Sequence, residues 1–461
     1  MTEKKTEKKK ALLPAREAAL LILNKIEKEG AYANLETARV LSASAYPPLE
    51  TALITELVYG VCRMRAACDH MLTQLLAKAP EKLPLPILLI LRLGIYQLLF
   101  LQKIPPSAAV NEAVKLARKY GHAGTAALVN AVLRAFCRRR DELQFPAKED
   151  DPALYLQTAL SHPKWLADRL LENWTADETE SFCRYNNASH GLSMRVNTLK
   201  TDRERLKQIL AGEGMEAAES AFVPEGLILN RASSPEKLPA FQEGLFLAQD
   251  QSSMLAAHAL APAPGAKVLD ICAAPGGKTT HLAQLMGNRG MIRALDKHPH
   301  KIALIEENCR RLGIDIVQAE VADAREAAGA LAGWADYLLL DAPCSGLGVL
   351  GRRADARWRK APGDIAAMSA LGRELLSAAA EMLAPGGVMV FSTCTVTREE
   401  NQNNLTWFLQ NRPDFALEPL TLPFAPDPAQ KEALARGFWQ ILPQREGIEG
   451  FFLARLRKRC R

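Results

Sequence analysis

The 461-residue chain lacks the features of a membrane-spanning or secreted protein. Its longest apolar run, residues 87–101, contains Arg92 and Gln97 and is shorter than the roughly 20 residues that a membrane span needs. The first residues are lysine-rich and contain no apolar stretch followed by a small-residue cleavage site. We therefore expect a buried helix at 87–101, a cytoplasmic protein and no membrane partner.

The chain also lacks a C-x-x-C pair, although it contains nine cysteines. An odd, scattered set of thiols argues against a disulfide framework and against a zinc site. The histidines, including His298 and His300, do not have metal-ligand spacing either. We expect no bound metal, and in a reducing cytosol a functional cysteine would act as a thiol.

Positive charge is only slightly in excess, with a formal net charge of +6 for the whole chain. An excess of this size permits RNA binding without requiring it. A local excess lies in Arg134, Arg138, Arg139 and Arg140. This cluster is either an RNA contact or a solvated helix end.

Length and pattern together predict a multidomain protein, because one hydrophobic core rarely serves so long a chain. We expect a flexible basic tail at 1–12 and an all-α bundle at 13–145, where apolar residues recur at spacings of three and four. Residues 149–240 mix helical and strand-like segments and predict a small α+β connector. From 241 to 461, short apolar runs alternate with helical segments, which is typical of an α/β, Rossmann-like parallel sheet covered by helices.

A ligand-binding loop is predicted at the start of this last region, where a strand, a tight loop of small residues and a helix start follow one another. Ligands of open α/β sheets bind beyond the carboxyl ends of the strands, where glycines let the backbone approach them. Further strand-like runs, 291–295 and 314–318, lead to Asp296 and Asp323, placed to hold a ribose diol and to contact an adenine ring. The loop consists of Cys272, Ala273, Ala274, Pro275, Gly276, Gly277 and Lys278.

A P-loop nucleotidase is the strongest competing interpretation of this loop, because Gly277, Lys278 and Thr279 match the end of that motif. The run 337–341 likewise resembles an apolar strand that ends in a magnesium-binding aspartate. The P-loop, however, needs a glycine five residues before Gly277, where this chain has Cys272. A purely structural strand-to-helix turn is the other alternative, and aspartates at three successive strand ends argue against it.

Two cysteines follow the next two predicted strands. The fourth strand runs into Asp341 and Cys344, and the fifth, 388–392, runs into Cys394. In a doubly wound sheet these strands lie side by side next to the first, so both thiols can face one pocket. A single cysteine is more often a small buried hydrophobe, but two of them beside a cofactor loop indicate catalysis.

This combination of residues suits methylation of cytosine at carbon 5. That carbon is too poor a nucleophile to accept a methyl group unaided, so a thiolate must first add at carbon 6. Removal of the carbon 5 proton then needs a base, which gives a role to a second group. Asp341 can hydrogen-bond the cytosine ring edge and stabilise the charge that develops there. Spacing alone does not decide which cysteine attacks.

With these residues the chain closely resembles the bacterial ribosomal RNA small subunit methyltransferase B family, the cytosine-5 methyltransferases of 16S rRNA. The resemblance runs over nearly the whole length. It is most specific at residues 272–278, 341–346 and 392–395, the last followed by residues 399–401, which read Glu-Glu-Asn.

The resemblance implies that S-adenosylmethionine is the cofactor and that 16S rRNA is the partner. We expect the protein to be a monomer. The resemblance also implies that Cys394 is the nucleophile and that Cys344 assists release of the product. The groups that it places at the cofactor are residues 272–278, Asp296, Asp323 and Asp341.

The N-terminal bundle also resembles the antitermination factor NusB, at residues 90–100 and 109–114, which implies a domain that helps to bind RNA. The chain departs from the family at 351–355, after the fourth-strand motif, and Thr395 replaces a more frequent serine. The basic side chains of this region are either RNA contacts or part of a solvated loop. They are Arg352, Arg353, Arg357 and Arg359.

A second hypothesis is an RNA-binding or ribosome-assembly factor whose methyltransferase fold has lost its activity. The chain retains Lys278, Asp341, Cys344 and Cys394, which argues against that hypothesis.

Overall fold

The computed structural model describes residues 12–230 and 235–460, which divide into two compact units. Unit 1 comprises Met1–Asn187 and Arg352–Arg359, and unit 2 comprises Ala188–Gly351 and Lys360–Arg461. The predicted basic tail, apart from residue 12, lies outside the described residues. Across the described ranges, we find no helix with the length and apolar character that a membrane crossing requires.

Unit 1 is helical, as the spacing of its apolar residues predicts. Alanines, leucines and isoleucines from its first seven helices form one continuous core. The helices are α1 (Ala15–Glu29), α2 (Ala33–Ser42), α3 (Pro48–Arg63), α4 (Arg65–Thr73), α5 (Leu85–Phe100), α6 (Pro106–Tyr120), α7 (Ala123–Arg138), α8 (Pro152–Thr158), α9 (Lys164–Leu171) and α10 (Ala176–Asn187).

Helix α5 contains the apolar run for which the sequence predicts a buried helix. It packs against α1, α3, α4, α6 and α7, so even Arg92 is only 2% exposed. The Arg92 guanidinium donates two hydrogen bonds of 2.8 Å to Asp69, and Gln97 donates one of 2.8 Å to the Leu93 carbonyl oxygen. The polar groups that interrupt the run are therefore paired, which offsets the cost of burying them.

The segment 352–359 belongs to unit 1, although it comes late in the sequence. The Arg357 side chain is 0% exposed and donates hydrogen bonds to the carbonyl oxygens of Ser161 (3.2 Å) and Asn186 (3.1 Å) and to the side-chain oxygen of Asn187 (2.8 Å). Burial lowers the pKa of Arg357 to about 9. The prediction that Arg357 contacts RNA is wrong, because its guanidinium is enclosed within unit 1.

Arg359 of the same segment is also engaged in unit 1, since it donates a hydrogen bond of 2.7 Å to the Gly30 carbonyl oxygen. Arg353 is exposed and Arg352 is half-buried. For these last two arginines, RNA contact stays a prediction.

Replacing Arg357 by alanine is expected to destabilise unit 1. The change leaves two buried carbonyl oxygens and the half-buried Asn187 oxygen without their donor and creates a cavity. Together these lower the free energy of unfolding by about 2–4 kcal/mol. Thermal unfolding followed by circular dichroism measures the loss. Arg353→Ala is the matched control, because exposed substitutions change stability by about 0.5 kcal/mol or less. Equal melting temperatures for the two variants would contradict the buried role.

Unit 2 begins with a small α+β part at residues 192–248, whereas helices α8, α9 and α10 of the connector predicted at 149–240 belong to unit 1. The core of this α+β part contains Met194, Leu206 and Phe246, which are all buried. The elements are β1 (Leu192–Val196), α11 (Arg203–Gly212), β2 (Ala217–Glu219), β3 (Gly226–Leu229), α12 (Pro239–Gln242) and β4 (Phe246–Ala248). The strands form an antiparallel sheet with the order β2-β3-β1-β4.

A larger sheet with a parallel centre forms the rest of unit 2. Its strands are β5 (Lys267–Ile271), β6 (Met291–Asp296), β7 (Val317–Val321), β8 (Ala335–Asp341), β9 (Leu383–Thr393), β10 (Phe415–Leu417), β11 (Phe438–Ile441) and β12 (Phe451–Lys458). The order is β10-β12-β9-β8-β5-β6-β7, and β11 pairs with β12. Strand β8 lies next to β5, and β9 lies on the other side of β8, so the two cysteine-bearing strands are side by side as predicted. The antiparallel strands β10, β11 and β12 were not predicted.

The helices of this part lie on both faces of the sheet. Alternate strand residues point into two separate cores, with Val268 and Val390 in one and Leu269 and Phe391 in the other. The helices are α13 (Gln251–Leu260), α14 (Gly277–Leu285), α15 (Pro299–Leu312), α16 (Ala324–Ala327), α17 (Pro362–Met382), α18 (Gln402–Asn411), α19 (Pro428–Ala435) and α20 (Pro443–Glu446).

Strand β7 begins at Val317, three residues later than the predicted run 314–318. Helix α15 ends at Leu312 and is capped by Gly313 in the left-handed conformation. Ile314 follows this cap and is buried in the core without belonging to a strand. The sequence prediction placed the strand start too early because Ile314 is apolar and buried like a strand residue.

Candidate active site

The candidate active site lies at the carboxyl ends of β5, β6, β8 and β9 in unit 2. Strand β5 ends at Ile271, and a short loop leads from it into α14 at Gly277. Cys272 and Gly276 of the loop have positive φ angles of 68° and 95°. A β-carbon on Gly276 would also lie 3.2 Å from the Ile305 backbone, so both conformation and space favour glycine there. This is the strand, tight loop and helix start that the sequence predicts.

Asp341 connects helix α14 to strand β9 through both of its carboxylate oxygens. One oxygen accepts a hydrogen bond of 2.8 Å from the Lys278 ammonium, and the other accepts one of 2.8 Å from the Ser392 hydroxyl. Burial lowers the pKa of Lys278, but the charge and hydrogen bond of Asp341, together with the charge of Cys394, outweigh it and raise the pKa. The ammonium therefore stays charged, and Asp341 is held in one orientation.

Asp296 and Asp323 lie at the ends of the next two strands. Asp296 ends β6, is 7% exposed and accepts a hydrogen bond of 3.0 Å from the backbone N–H of His298. Asp323 follows β7 and accepts hydrogen bonds of 2.6 and 3.0 Å from the Arg325 guanidinium. These bonds lower the pKa of Asp323 to about 2. Both carboxylates are therefore ordered by protein donors at the strand ends.

Asp270 is a buried acid that the sequence reasoning missed. It lies inside β5, is 1% exposed and accepts a hydrogen bond of 2.6 Å from the Thr279 hydroxyl. Burial raises its pKa to about 7, although the Thr279 bond acts in the opposite direction. Burial also raises the pKa of Cys272 to about 12, and the charge of Asp341 adds to the rise. Cys272 is therefore a neutral thiol near physiological pH.

Cys344 and Cys394 lie side by side, with their sulfur atoms 3.3 Å apart, and both are half-buried. The two loops are joined through the backbone, since the Ala342 N–H donates to the Ser392 carbonyl oxygen at 2.8 Å. The hydrogen bond to Cys394, then burial, and then the charge of Cys394 raise the pKa of Cys344 well above its ordinary value. Because two thiolates so close would repel, ionisation of one thiol disfavours ionisation of the other.

Arg195 of β1 supports the loop between β5 and α14, a contact that the sequence did not indicate. Its guanidinium is 1% exposed and donates hydrogen bonds to the Gly277 carbonyl oxygen (2.6 Å) and the Thr280 hydroxyl (2.8 Å). Both acceptors lie in the first turn of α14. Strand β1 of the connector therefore helps to fix the helix that follows the loop.

Two histidines to which the sequence assigned no role converge on Glu225. The Nε2 atoms of His258 and His281 each lie 2.7 Å from one Glu225 oxygen, and the three ligand atoms lie within 4.8 Å of one another. Ligating histidines normally donate their second ring N–H, but His281 Nδ1 has no hydrogen-bond partner among the described residues. Burial and then the Arg195 charge lower the pKa of His281 to about 3, and that charge also repels a cation. These observations argue against a metal site, and only His258 is hydrogen-bonded to Glu225, because His281 Nε2 has no hydrogen-bond partner in the described part of the chain.

The predicted basic cluster of unit 1 is on the surface at the end of α7. Arg134, Arg138, Arg139 and Arg140 are all exposed, and Arg139 pairs with Glu142 at 2.8 Å. The exposure of these side chains is compatible both with RNA contact and with a solvated helix end. RNA contact by this cluster therefore stays a prediction.

Models of three protein families match the chain. The NusB family matches residues 13–138, and the ferredoxin-like domain of the RsmF/B-like methyltransferases matches residues 162–235. The family described as 16S rRNA methyltransferase RsmB/F matches residues 257–457. The all-α, connector and Rossmann-like parts of the fold prediction are thereby confirmed.

Whole-length relatives agree with these matches. The probable ribosomal RNA small subunit methyltransferase B of Bacillus subtilis is 39% identical over 96% of this chain and 98% of its own length. The ribosomal RNA small subunit methyltransferase B of Pasteurella multocida is 34% identical over 99% of this chain and 98% of its own length.

PH0851 and NSun6 are two examples of solved structures that are similar to this chain. The crystal structure of PH0851 has a TM-score of 0.80 and 30% identity, and the match covers 98% of this chain and 100% of that one. NSun6 from Pyrococcus horikoshii, solved with SFG, has a TM-score of 0.59 and 27% identity over 66% of this chain and 99% of its own. From the whole-length relatives together with these folds, the chain belongs to the ribosomal RNA small subunit methyltransferase B family.

Proposed function

We propose that this rRNA methyltransferase transfers a methyl group from S-adenosylmethionine to carbon 5 of a cytosine in 16S rRNA, through a covalent bond between Cys394 and carbon 6. The observation that carries the proposal is the sulfur–sulfur distance of 3.3 Å between Cys344 and Cys394 at neighbouring strand ends. Methylation of an amino group would need no thiol, whereas carbon 5 needs one to add and a second group to complete the reaction.

The cofactor would be held by residues 272–278, Asp296, Asp323 and Asp341. Asp296 is nearly buried at the end of the second strand, where a carboxylate suits the ribose diol of a nucleoside. Gly276 brings the backbone close without a side chain in the way. When bound, S-adenosylmethionine supplies an electrophilic methyl group.

Cys394 would attack carbon 6 of the cytosine as a thiolate. The Lys278 ammonium supports this state, because the charges of Lys278 and Cys394 attract each other. Asp341 would hydrogen-bond the ring edge, since each of its oxygens makes one hydrogen bond and retains capacity to make another. After methyl transfer, Cys344 would assist removal of the carbon 5 proton, and the bond between sulfur and carbon 6 would break.

Unit 1 would contribute to RNA binding through exposed basic side chains. The neutralisation of phosphates by lysine and arginine supplies affinity without base specificity. The target base would have to be unstacked to reach Cys394. The proposed contacts are Arg134, Arg138, Arg139, Arg140, Arg352 and Arg353.

The experiment that tests this function is methyl transfer from labelled S-adenosylmethionine to unmodified small-subunit rRNA, followed by nucleoside analysis. The expected product is 5-methylcytidine, because the paired thiols serve addition and release at the pyrimidine ring. A labelled nucleoside other than 5-methylcytidine would contradict the carbon 5 assignment. RNA binding without any methyl transfer would instead support the alternative of an assembly factor with an inactive fold.

A further inference from the structure

Glu400 joins the two cysteine-bearing loops, and its carboxylate is only 2% exposed. It accepts hydrogen bonds from the Ser345 backbone N–H at 2.6 Å and the Ser345 hydroxyl at 2.7 Å. It also accepts bonds from the Thr397 hydroxyl at 2.5 Å and, more weakly, the Thr395 hydroxyl at 3.4 Å. An ionised carboxylate only accepts hydrogen bonds, which suits a buried site lined by a backbone N–H and hydroxyl groups.

The donors of Glu400 are placed next to the reacting thiols in the sequence. Ser345 directly follows Cys344, and Thr395 directly follows Cys394. The hydroxyl groups of Ser345 and Thr395 are also 2.7 Å apart. The carboxylate therefore fixes the two loops to each other one residue beyond each sulfur.

Asn401 holds the nucleophile loop on both sides of Cys394. Its side-chain oxygen accepts a hydrogen bond of 2.6 Å from the Thr393 hydroxyl, and its amide donates one of 3.1 Å to the Thr395 carbonyl oxygen. Asn401 is 0% exposed and its amide also bonds the Gln440 side chain at 2.7 Å. The loop therefore has few alternative conformations, and Glu400 decides where it sits relative to Cys344.

Glu400 also places a buried negative charge near the Cys344 thiol. The pKa of Cys344 is raised by its hydrogen bond to Cys394, by burial, by the Cys394 charge and then by the Glu400 charge. Lys278, in contrast, interacts favourably with the charge of Cys394. Charge placement of this kind favours a proton on Cys344 and ionisation of Cys394.

We infer that Glu400 is a positioning residue of the methyltransferase, an inference that rests on the proposed role of Cys394. Glu400 fixes the separation of the two thiols through Ser345 and Thr395, and its charge keeps the proton on Cys344 until Cys394 has attacked. Glu400 acts through the two loops and the local electrostatic field.

The test compares Glu400→Gln with Glu381→Gln, which makes the same chemical change at a 62% exposed glutamate of α17. A third variant, Thr395→Val, removes one hydroxyl from the network and keeps the Glu400 charge. For each folded variant, kcat and KM are measured with S-adenosylmethionine and rRNA. Alkylation by iodoacetamide is followed separately at Cys344 and Cys394 by peptide mass spectrometry, with the melting temperature as a measure of folding.

For Glu400→Gln we expect kcat to fall by about 10- to 100-fold with little change in the KM for S-adenosylmethionine, because the reacting groups lose their alignment. The ratio of Cys344 to Cys394 alkylation should rise several-fold, since loss of the charge lowers the pKa of Cys344. Thr395→Val should lower kcat without changing that ratio. Glu381→Gln should behave like the wild type.

An unchanged alkylation ratio in Glu400→Gln, or a fall in kcat that only follows a loss of folded protein, would overturn the inference. A ratio that shifts equally in Thr395→Val would overturn the part played by charge. Cys394→Ala in the same assay separates this failure from failure of the proposed function. If Cys394→Ala still methylates rRNA, the nucleophile assignment has failed, whatever Glu400→Gln does.

Discussion

Cys394→Ala is expected to abolish methyl transfer to rRNA, with kcat falling by at least about 10³-fold. Without a sulfur to add at carbon 6, the cytosine ring cannot build electron density at carbon 5. Transfer from labelled S-adenosylmethionine measures the loss, and equilibrium binding of the cofactor should be nearly unchanged. The matched control is Cys460→Ala, since Cys460 is an exposed cysteine of the same unit and should leave the rate near that of the wild type. An active Cys394→Ala variant would refute the thiolate mechanism.

The buried cysteines of the chain cannot replace Cys394 as the nucleophile, so we expect its loss to reduce methyl transfer strongly. Burial raises the pKa of Cys62 and Cys183 in unit 1 to about 12 and that of Cys309 in unit 2 to about 11. Cys272 lies in the loop between β5 and α14, but burial and the nearby aspartates raise its pKa to about 12. A thiol with so high a pKa supplies almost no thiolate at neutral pH. Cys394 is instead half-buried, with the Lys278 ammonium in electrostatic reach.

The parallel strands at the centre of the large sheet were predictable, because each has its own apolar run in the sequence. Apolar runs end in Asp296, Asp341 and Cys394, and parallel strands bring their carboxyl ends to one edge. The antiparallel strands are less visible, because pairing of β12 with β9 joins residues far apart in sequence. Spacing within a segment gives no information about a partner that distant.

The wrong prediction for Arg357 and the overlooked role of Glu400 also arise from contacts between residues far apart in the sequence. Arg357 lies in a strongly basic stretch that is typical of a solvated loop, yet its partners are Ser161, Asn186 and Asn187. Glu400 stands in a motif that the sequence singled out, but its role depends on bonds to Ser345, which is 55 residues away. Local composition predicts exposure and charge, whereas pairing of a buried charge is decided by tertiary contacts.

Cys344→Ala is expected to trap the enzyme on its RNA. Cys394 can still attack carbon 6 and the methyl group can still be transferred, but the carbon 5 proton is no longer removed efficiently. Loss of a general acid–base group typically lowers turnover by about 10²- to 10⁴-fold. Denaturing gel electrophoresis of the variant with labelled rRNA and S-adenosylmethionine should reveal a covalent protein–RNA band. The double variant Cys344→Ala/Cys394→Ala is the control and should give no band.

The order of these events follows from the Cys344 pKa. In the free enzyme, the hydrogen bond to Cys394 is the largest cause that raises it, and the Cys394 charge adds to it. Once Cys394 is bound to carbon 6 it is a neutral thioether, so its charge no longer opposes ionisation of Cys344. The Cys344 pKa should then fall, so that after the attack the thiol can release its proton to solvent and, as a thiolate, accept the proton from carbon 5 as the bond between sulfur and carbon 6 breaks. A Cys344→Ala variant that turns over at the wild-type rate with no covalent band would contradict this sequence of steps.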